Sequence, residues 1–294
     1  MSLPTFFSLA LTGYPLGHSM SPAIHAAALR ETGLQGEYKL YPIAPGAEGP
    51  GSLADLVTRV RSRRLHGLNV TIPHKETVIP LVDELTPMAH AIGAVNTIFW
   101  DGEKLIGDNT DAPGFLADLE RLAPDLFRTA GPGQKSAVVL GSGGGARAVA
   151  YALAIAGWQL TIVFARPEDE RQANCLADDI ARSATRPDVA APARLAAGSP
   201  DLLVNCTPLG MHPHPEATPW PQGIPLPAGA VVYDIVYNPV QTRFVAEARA
   251  AGLPASTGLG MLVSQAALAF ERWTGKKPPF APMLRAAEEG MRAA

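Results

Sequence analysis

The 294-residue sequence predicts an α/β protein of two domains built on largely parallel sheets. Three observations carry that expectation. Short apolar runs alternate with helix-like patterns over most of the chain, as layered βα units do. A glycine-rich strand, turn and helix, 138-VVLGSGGGARAVAYALAIAG-157, has the spacing of a nucleotide-binding loop. The chain is also long enough to divide, and its 47% apolar residues can bury a core in each half.

In chain order, 6-FFSLAL-11 reads as a strand and 13-GYPLGH-18 as a turn. A helix over 22–32 follows, with Ser21 as N-cap, Pro22 at the first helical position and Gly33 as the stop. Capping accounts for Ser21 alone; Ser19 needs another reason, and a helix N-terminus carrying two hydroxyls suits an anion. Strands come next at 38-YKLYPIA-44 and 67-GLNVTI-72, and the basic run 59-RVRSRR-64 between them reads as the solvated face of a short helix. In 94-AVNTIFWDGEKLIG-107, Asp101-Gly102 between two apolar runs signals a hairpin. The segment 108-DNTDAPGF-115 leads into a helix, and the loop 129-TAGPGQK-135 precedes the strand 136-SAVVLG-141. Strands at 160-LTIVFA-165, 201-DLLVN-205 and 230-AVVYDI-235 complete the alternation, with the Pro-rich 208–227 as a loop. After about residue 240 only helical patterns remain, at 242–251, 260–273 and 281–292, stopped by Gly252 and near Gly275.

A formal net charge of −3 leaves no electrostatic footprint for nucleic acid or an acidic membrane surface. Cys175 and Cys206 lie far apart without metal-ligand spacing, and 212-HPH-214 has no third ligand beside it, so neither a disulfide framework nor a metal is expected. Residues 1–13 lack a basic n-region, their apolar run is too short for a signal peptide, and no segment approaches a membrane span. The expectation is a cytoplasmic protein, monomer or homodimer, acting on a small molecule.

Gly141, Gly143 and Ala146 match G-x-G-x-x-A between a strand and the opening of a helix that closes at Gly157. Together with Ser142, Gly144 and Gly145 they allow backbone N–H groups to approach a pyrophosphate at a helix N-terminus. The next strand ends 164-FARPEDER-171, where an acid would accept from a ribose 2'-hydroxyl; Arg166 stands there instead and suits a 2'-phosphate. Its alternative is an exposed turn residue, and Glu168 and Asp169 would repel a phosphate.

Three further segments place polar residues at strand ends, where open α/β sheets hold ligands: Asn69, Thr71 and Lys75 in 67-GLNVTIPHKE-76, Asn96 in 94-AVNTI-98, and Asn109, Thr110 and Asp111 in 107-GDNTDAPGF-115. Taken singly each has a scaffold alternative: Lys75 as a solvated lysine in a first helical turn, Asp111 as an N-cap, Asn96 as a strand-end hydrogen-bonder.

Taken together these motifs resemble the shikimate dehydrogenase (AroE) family. The resemblance covers nearly the whole chain, in order: 13-GYPLGHSMSPAIH-25, 67-GLNVTIPHKE-76, 93-GAVNT-97, 107-GDNTDAPGF-115, 140-LGSGGGARA-148, 205-NCTPLGM-211, 233-YDIVYNP-239 and 258-GLGMLVSQA-266. It implies a mixed-sheet α/β substrate domain, 1–111, completed by C-terminal helices, 259–294, and a Rossmann-like NADP-binding domain, 112–258. It implies reversible reduction of 3-dehydroshikimate to shikimate, with hydride passing between C4 of the nicotinamide and C3 of the ring. By the same resemblance Ser19 and Ser21 bind the substrate carboxylate with Tyr237 nearby. Asn69, Thr71, Asn96 and Gln265 surround the ring, and Lys75 and Asp111 form the catalytic pair. On the cofactor side it adds Thr207 and Gly258 to the glycine loop and Arg166. A lysine suits the reaction because its ammonium can hydrogen-bond a developing alkoxide and also surrender a proton.

The chain departs from the family at the second cofactor strand, which reads Ala165-Arg166-Pro167 where Asn-Arg-Thr is usual. The arginine stays, but proline removes a backbone donor, so NAD is expected to compete with NADP more than usual. Serine at Ser21, where quinate-preferring relatives have threonine, favours shikimate. The alternatives are a quinate or aminoshikimate dehydrogenase using NAD or NADP, and a non-catalytic sensor of a shikimate-type ligand, which would have no use for Lys75 and Asp111.

Overall fold

The computed structural model describes residues 4–49, 51–128 and 135–293. The loop expected at 129–135 therefore lies, apart from Lys135, outside the described residues. The chain divides into two compact units, Met1–Thr110 with Val263–Ala294, and Asp111–Leu262.

The first unit opens with β1 (Phe7–Gly13), α1 (Ser21–Thr32), β2 (Gly36–Pro42), α2 (Leu53–Arg61) and β3 (Gly67–Val70). It continues with β4 (Glu84–Leu85), α3 (Pro87–Ile92), β5 (Thr97–Trp100) and β6 (Leu105–Asp108). These strands form one sheet in the order β2-β1-β3-β5-β6-β4. β1 pairs in parallel with β2 and β3, whereas β5 runs antiparallel to β3 and β6, so the sheet is mixed. The hairpin turns at Asp101-Gly102 as the sequence predicts, with Gly102 at φ 118°, a conformation that favours glycine. β1 is buried along nearly its whole length, which is why its sequence is an apolar run without alternation. In the basic run, Arg59 pairs with Asp55 and Arg61 with Asp83, on a helix capped by Ser52.

The start of α1 differs from the expected cap. The helix begins at Ser21; Met20, already helical at φ −83° and ψ −6°, holds the cap position and supplies no side-chain bond, while Gly33 ends the helix at φ 70°. The Ser21 side chain is therefore not used as a cap, because the helical turn starts one residue earlier than Pro22 suggests. The Ser21 N–H instead donates to the Ser19 hydroxyl at 3.3 Å.

The second unit contains α4 (Asp111–Leu122), β7 (Ser136–Leu140), α5 (Gly144–Ile155), β8 (Gln159–Val163), α6 (Glu170–Ile180) and β9 (Asp188–Ala190). Then come β10 (Leu202–Asn205), β11 (Val231–Asp234), α7 (Arg243–Ala250) and β12 (Ala255–Thr257). Its sheet is parallel throughout, in the order β12-β11-β10-β7-β8-β9. The chain leaves β7 toward β8 and β9 and then returns to add β10, β11 and β12 on the other side. That reversal makes the carboxyl ends of β7 and β10 the topological switch point, the ordinary ligand position of a doubly wound sheet.

β12 corrects the expectation that only helices follow residue 240. It is a three-residue, half-buried edge strand beside β11, too short and too weakly apolar to stand out beside Pro254. Helix α8 (Leu259–Thr274) crosses the second unit boundary, and α9 (Phe280–Ala293) packs along α1. Inside the second unit Asp118 is fully enclosed: Tyr233 donates to it at 2.6 Å and Arg121 at 2.7 Å, and a Cβ at Gly260 would overlap its carboxylate.

Candidate functional site

In the first unit the expected residues lie around the carboxyl ends of β1, β3 and β6 and the amino end of the antiparallel β5. Gly13 ends β1 against Thr71, with no room between them for a Cβ, and the Thr71 N–H donates to the Thr12 carbonyl at 2.9 Å. That close approach holds the turn carrying Ser19 beside the segment carrying Lys75. Lys75 is half-buried in a series of turns rather than in a helix, which removes the helical-turn alternative. Its carbonyl accepts the Val95 N–H at 2.8 Å, which places it next to Asn96.

Asn69 and Asn96 are both buried, at 5% and 3% exposed, and most of their hydrogen-bonding capacity goes to protein groups. Asn69 donates to the Asn96 carbonyl and to the Thr97 hydroxyl, both at 3.1 Å, and accepts from the Tyr38 phenol at 2.7 Å. A ligand can then meet only a remaining acceptor lone pair on its oxygen. Asn96 accepts from the Thr110 N–H at 2.8 Å and donates to the Thr110 hydroxyl at 3.0 Å. Its remaining N–H points to Gln265 Oε1 at 3.5 Å, the loosest bond of the set and the one most easily exchanged for a ligand hydroxyl. Thr110 leads directly into Asp111, the first residue of α4 and itself buried; the helix starts with Asp111 rather than after it, so Asp111 is not an N-cap.

Beneath these groups lies an aromatic wall. His25, one helical turn after Ser21, is wholly buried and stacks on Tyr38 at 4.2 Å with the rings 5° apart. Burial drives the imidazole down to about 3, against the pull of the Asn69 side chain, so it is neutral at physiological pH. Burial likewise pushes the Tyr38 phenol up, so it stays protonated and donates. Tyr38 and Thr97 are absent from the residues singled out in the sequence, whereas Thr110 is among its polar strand ends. Tyr38 gives no local signal, sitting in an ordinary strand; Thr97 stands beside a polar strand end that did give one.

In the second unit the glycine loop follows β7. Gly141 has φ 104°, and a Cβ there would sit 3.0 Å from Thr207 and 3.3 Å from the Cys206 carbonyl, so glycine alone fits. Positions 143 and 144 face open space, and α5 opens at Gly144 with no side chain capping its first turn. Gly145 packs against Ile235 and Ala146 is buried, which sets the helix close on the sheet; Ser142 reaches Gln172 at 3.4 Å. An open, uncapped helix start behind a left-handed glycine fits a dinucleotide pyrophosphate.

Neighbouring loops are braced by one buried network. Asn205 accepts from the Thr207 N–H at 2.9 Å and hydroxyl at 2.7 Å, and donates to Asp234 at 2.8 Å. Asp234 also accepts from Thr242 at 2.7 Å and from the Val236 N–H at 3.0 Å. Burial raises its carboxyl to about 6 even so. The network positions Thr207 on one side and the 235–239 segment, with half-buried Tyr237, on the other. Gly258 packs directly on the Ile235 carbonyl. Arg166 is exposed, and its guanidinium is held by Asp169 through two bonds of 3.0 Å with Glu168 at 3.5 Å. Both cysteines are free thiols, and among the described residues no His, Cys, Asp and Glu group could hold a metal. No described helix is long and apolar enough to cross a membrane.

Comparison with known proteins gives a consistent picture. Residues 11–98 match the family described as the shikimate dehydrogenase substrate binding domain, and residues 258–288 the shikimate 5'-dehydrogenase C-terminal domain. The chain is 45% identical over 286 residues to the shikimate dehydrogenase (NADP(+)) of Symbiobacterium thermophilum, spanning 95% of this chain and 92% of that one. Among solved structures it is similar to shikimate 5-dehydrogenase from Thermus thermophilus in complex with NADP(H) and shikimate. That match has a TM-score of 0.82 and 37% identity over 97% of this chain and 99% of that chain. It is also similar to quinate dehydrogenase from Corynebacterium glutamicum in complex with NAD, with a TM-score of 0.84 and 32% identity over 96% and 99%.

Proposed function

The chain belongs to the shikimate dehydrogenase family, and from that premise we propose that it interconverts 3-dehydroshikimate and shikimate as an NADP-dependent oxidoreductase of aromatic amino-acid biosynthesis. The observation that carries the reading is the 45% identity to a curated NADP(+)-dependent relative along 95% of the chain.

NADPH, when bound, supplies the hydride to the C3 carbonyl of the ring. The protein's own residues do the rest. Ser19 and Ser21, adjacent at the start of α1, donate to the substrate carboxylate, with the Tyr237 hydroxyl near it. Thr71, Asn96 and Gln265 read the ring hydroxyls, and Asn69 sets the floor of the site. The Lys75 ammonium donates its proton to the alkoxide as the carbonyl is reduced and is reprotonated from solvent; oxidation of shikimate runs the same transfer backward. Asp111, the other member of the catalytic pair, accepts from a ring hydroxyl. Gly141, Ser142, Gly143, Gly144, Gly145 and Ala146 hold the pyrophosphate, Thr207 and Gly258 border it, and Arg166 pairs with the 2'-phosphate.

The Arg166 environment supports a second reading, in which NAD is also accepted. Two carboxylates flank the guanidinium, so a 2'-phosphate must displace Asp169 from the edge it would use. We place the protein in the cytoplasm as a monomer or homodimer, in keeping with two unpaired thiols; light scattering tests the assembly. Initial rates with shikimate and quinate, each with NADP and NAD, test the activity. Highest kcat/KM for shikimate with NADP is expected, and saturable shikimate binding without turnover would indicate a sensor instead.

A further inference from the structure

Tyr38 lies on β2, outside every motif that marks the site. Its register partner on β1 is Leu9, whose partner on β3 is Gly67. Asn69 follows Gly67 by two residues and so faces the same side of the sheet. To reach Asn69 the Tyr38 side chain must cross β1 and span two strand spacings, roughly 9.6 Å. A tyrosine is long enough, and its phenol donates to Asn69 Oδ1 at 2.7 Å. Ser21 stands one helical turn before His25 on the same face of α1, and so beside the ring that His25 stacks on; its side chain opposes the upward push that burial gives the phenol. The Tyr38 ring cannot swing away, because it lies flat on His25 at 4.2 Å with Trp273 at 6.5 Å. Trp273 fits there because Gly67 has no Cβ, and its indole N–H is fixed on the Ile98 carbonyl at 3.1 Å.

We propose that Tyr38 is a positioning residue for the carboxylate end of the substrate site, its phenol locking the Ser21 hydroxyl and the Asn69 amide into one orientation. The proposal rests on the reading of Ser19 and Ser21 as carboxylate ligands. A hydroxyl and an amide can each rotate and exchange donor for acceptor; a shared partner that is itself immobilised leaves them one arrangement. The carboxylate does not change charge during hydride transfer. Tyr38 therefore acts on substrate binding, and the ground state and transition state feel it alike.

The test is steady-state kinetics of Tyr38→Phe, which keeps the ring and its stack on His25. KM for shikimate should rise about tenfold, kcat should stay within about twofold, and KM for NADP should not move. Shikimate methyl ester provides the readout that a general packing defect would leave alone: the factor by which the ester is poorer than shikimate should shrink in the variant. The double variant with Ser21→Ala should be less impaired than the product of the single effects. Tyr38→His, whose ring is too short to reach Asn69, should raise KM as well and serves if the phenylalanine variant does not fold. An unchanged KM for shikimate, or an ester penalty equal to that of the parent protein, overturns the proposal. If Ser21→Ala raises KM and the Tyr38 variants do not, the positioning role alone is wrong; if none of them raises it, the carboxylate assignment is wrong as well.

Discussion

Asn96 grips the residue in front of Asp111: its Oδ1 accepts the Thr110 N–H at 2.8 Å while its Nδ2 donates to the Thr110 hydroxyl at 3.0 Å. One side chain, placed by the strand pairing of β5, thereby fixes the backbone from which Asp111 departs. Asn96→Ala leaves a buried N–H unpaired, which costs about 1–3 kcal/mol of stability. It should also lower kcat by roughly 10- to 100-fold through misplacement of Asp111. Thermal unfolding and steady-state rates on one preparation check both. Asn96→Asp keeps the acceptor for the Thr110 N–H and should recover most of the stability.

Lys75→Ala should reduce kcat by about 10²- to 10⁴-fold, the usual span for a lost proton donor, with KM for shikimate changed only a few-fold. Ser19→Ala should do the reverse, raising KM roughly 10- to 100-fold for one hydrogen bond to a charged group while kcat holds. Turnover against shikimate concentration for the two variants separates the roles.

Two buried groups give stability opposite pH slopes. His25 is held down to about 3, so the unfolded chain binds a proton there that the native protein refuses. Its contribution is complete above pH 6.5 and declines as pH falls toward 3, by up to about 5 kcal/mol. Asp234 is raised to about 6, so its contribution is complete below its unfolded value and is lost as pH rises through 6. Between roughly pH 4 and 6 the two oppose each other. Denaturant unfolding of His25→Phe, which preserves stacking, should lose the acid-side decline and show stability falling toward pH 6; Asp234→Asn should steepen the wild-type rise.

Arg166→Leu should weaken NADP and spare NAD. Because Asp169 already occupies the guanidinium edge, the loss in NADP affinity should be near tenfold rather than the larger factor of an unencumbered ion pair. Titration with 2',5'-ADP and with ADP reads the difference directly, and equal effects on both would remove Arg166 from the 2'-phosphate.

Local chemistry made much of this legible from the sequence. Gly141 needs its positive φ, Gly33 and Gly252 stop their helices, and Asp101-Gly102 turns its hairpin; each is a short-range demand that one or two residues satisfy. Polar strand ends likewise announced Asn69, Asn96 and Asp111. What escaped depends on long-range pairing. Tyr38 gains its place only because β2 lies two strands from β3, and the Asn205–Asp234–Thr242 network only because β10 and β11 are neighbours. β12 has too few residues to show a period, and the first turn of α1 was misplaced because Met20 is already helical, which takes the cap from Ser21.

The central claim, that this chain passes hydride between NADP and shikimate, is tested most directly by following the reduced nicotinamide absorbance with shikimate or quinate and NADP or NAD. Shikimate with NADP should give the highest kcat/KM, with NAD supporting a slower reaction and quinate little. Turnover confined to quinate, or absence of turnover in every combination from protein that binds shikimate, would contradict it.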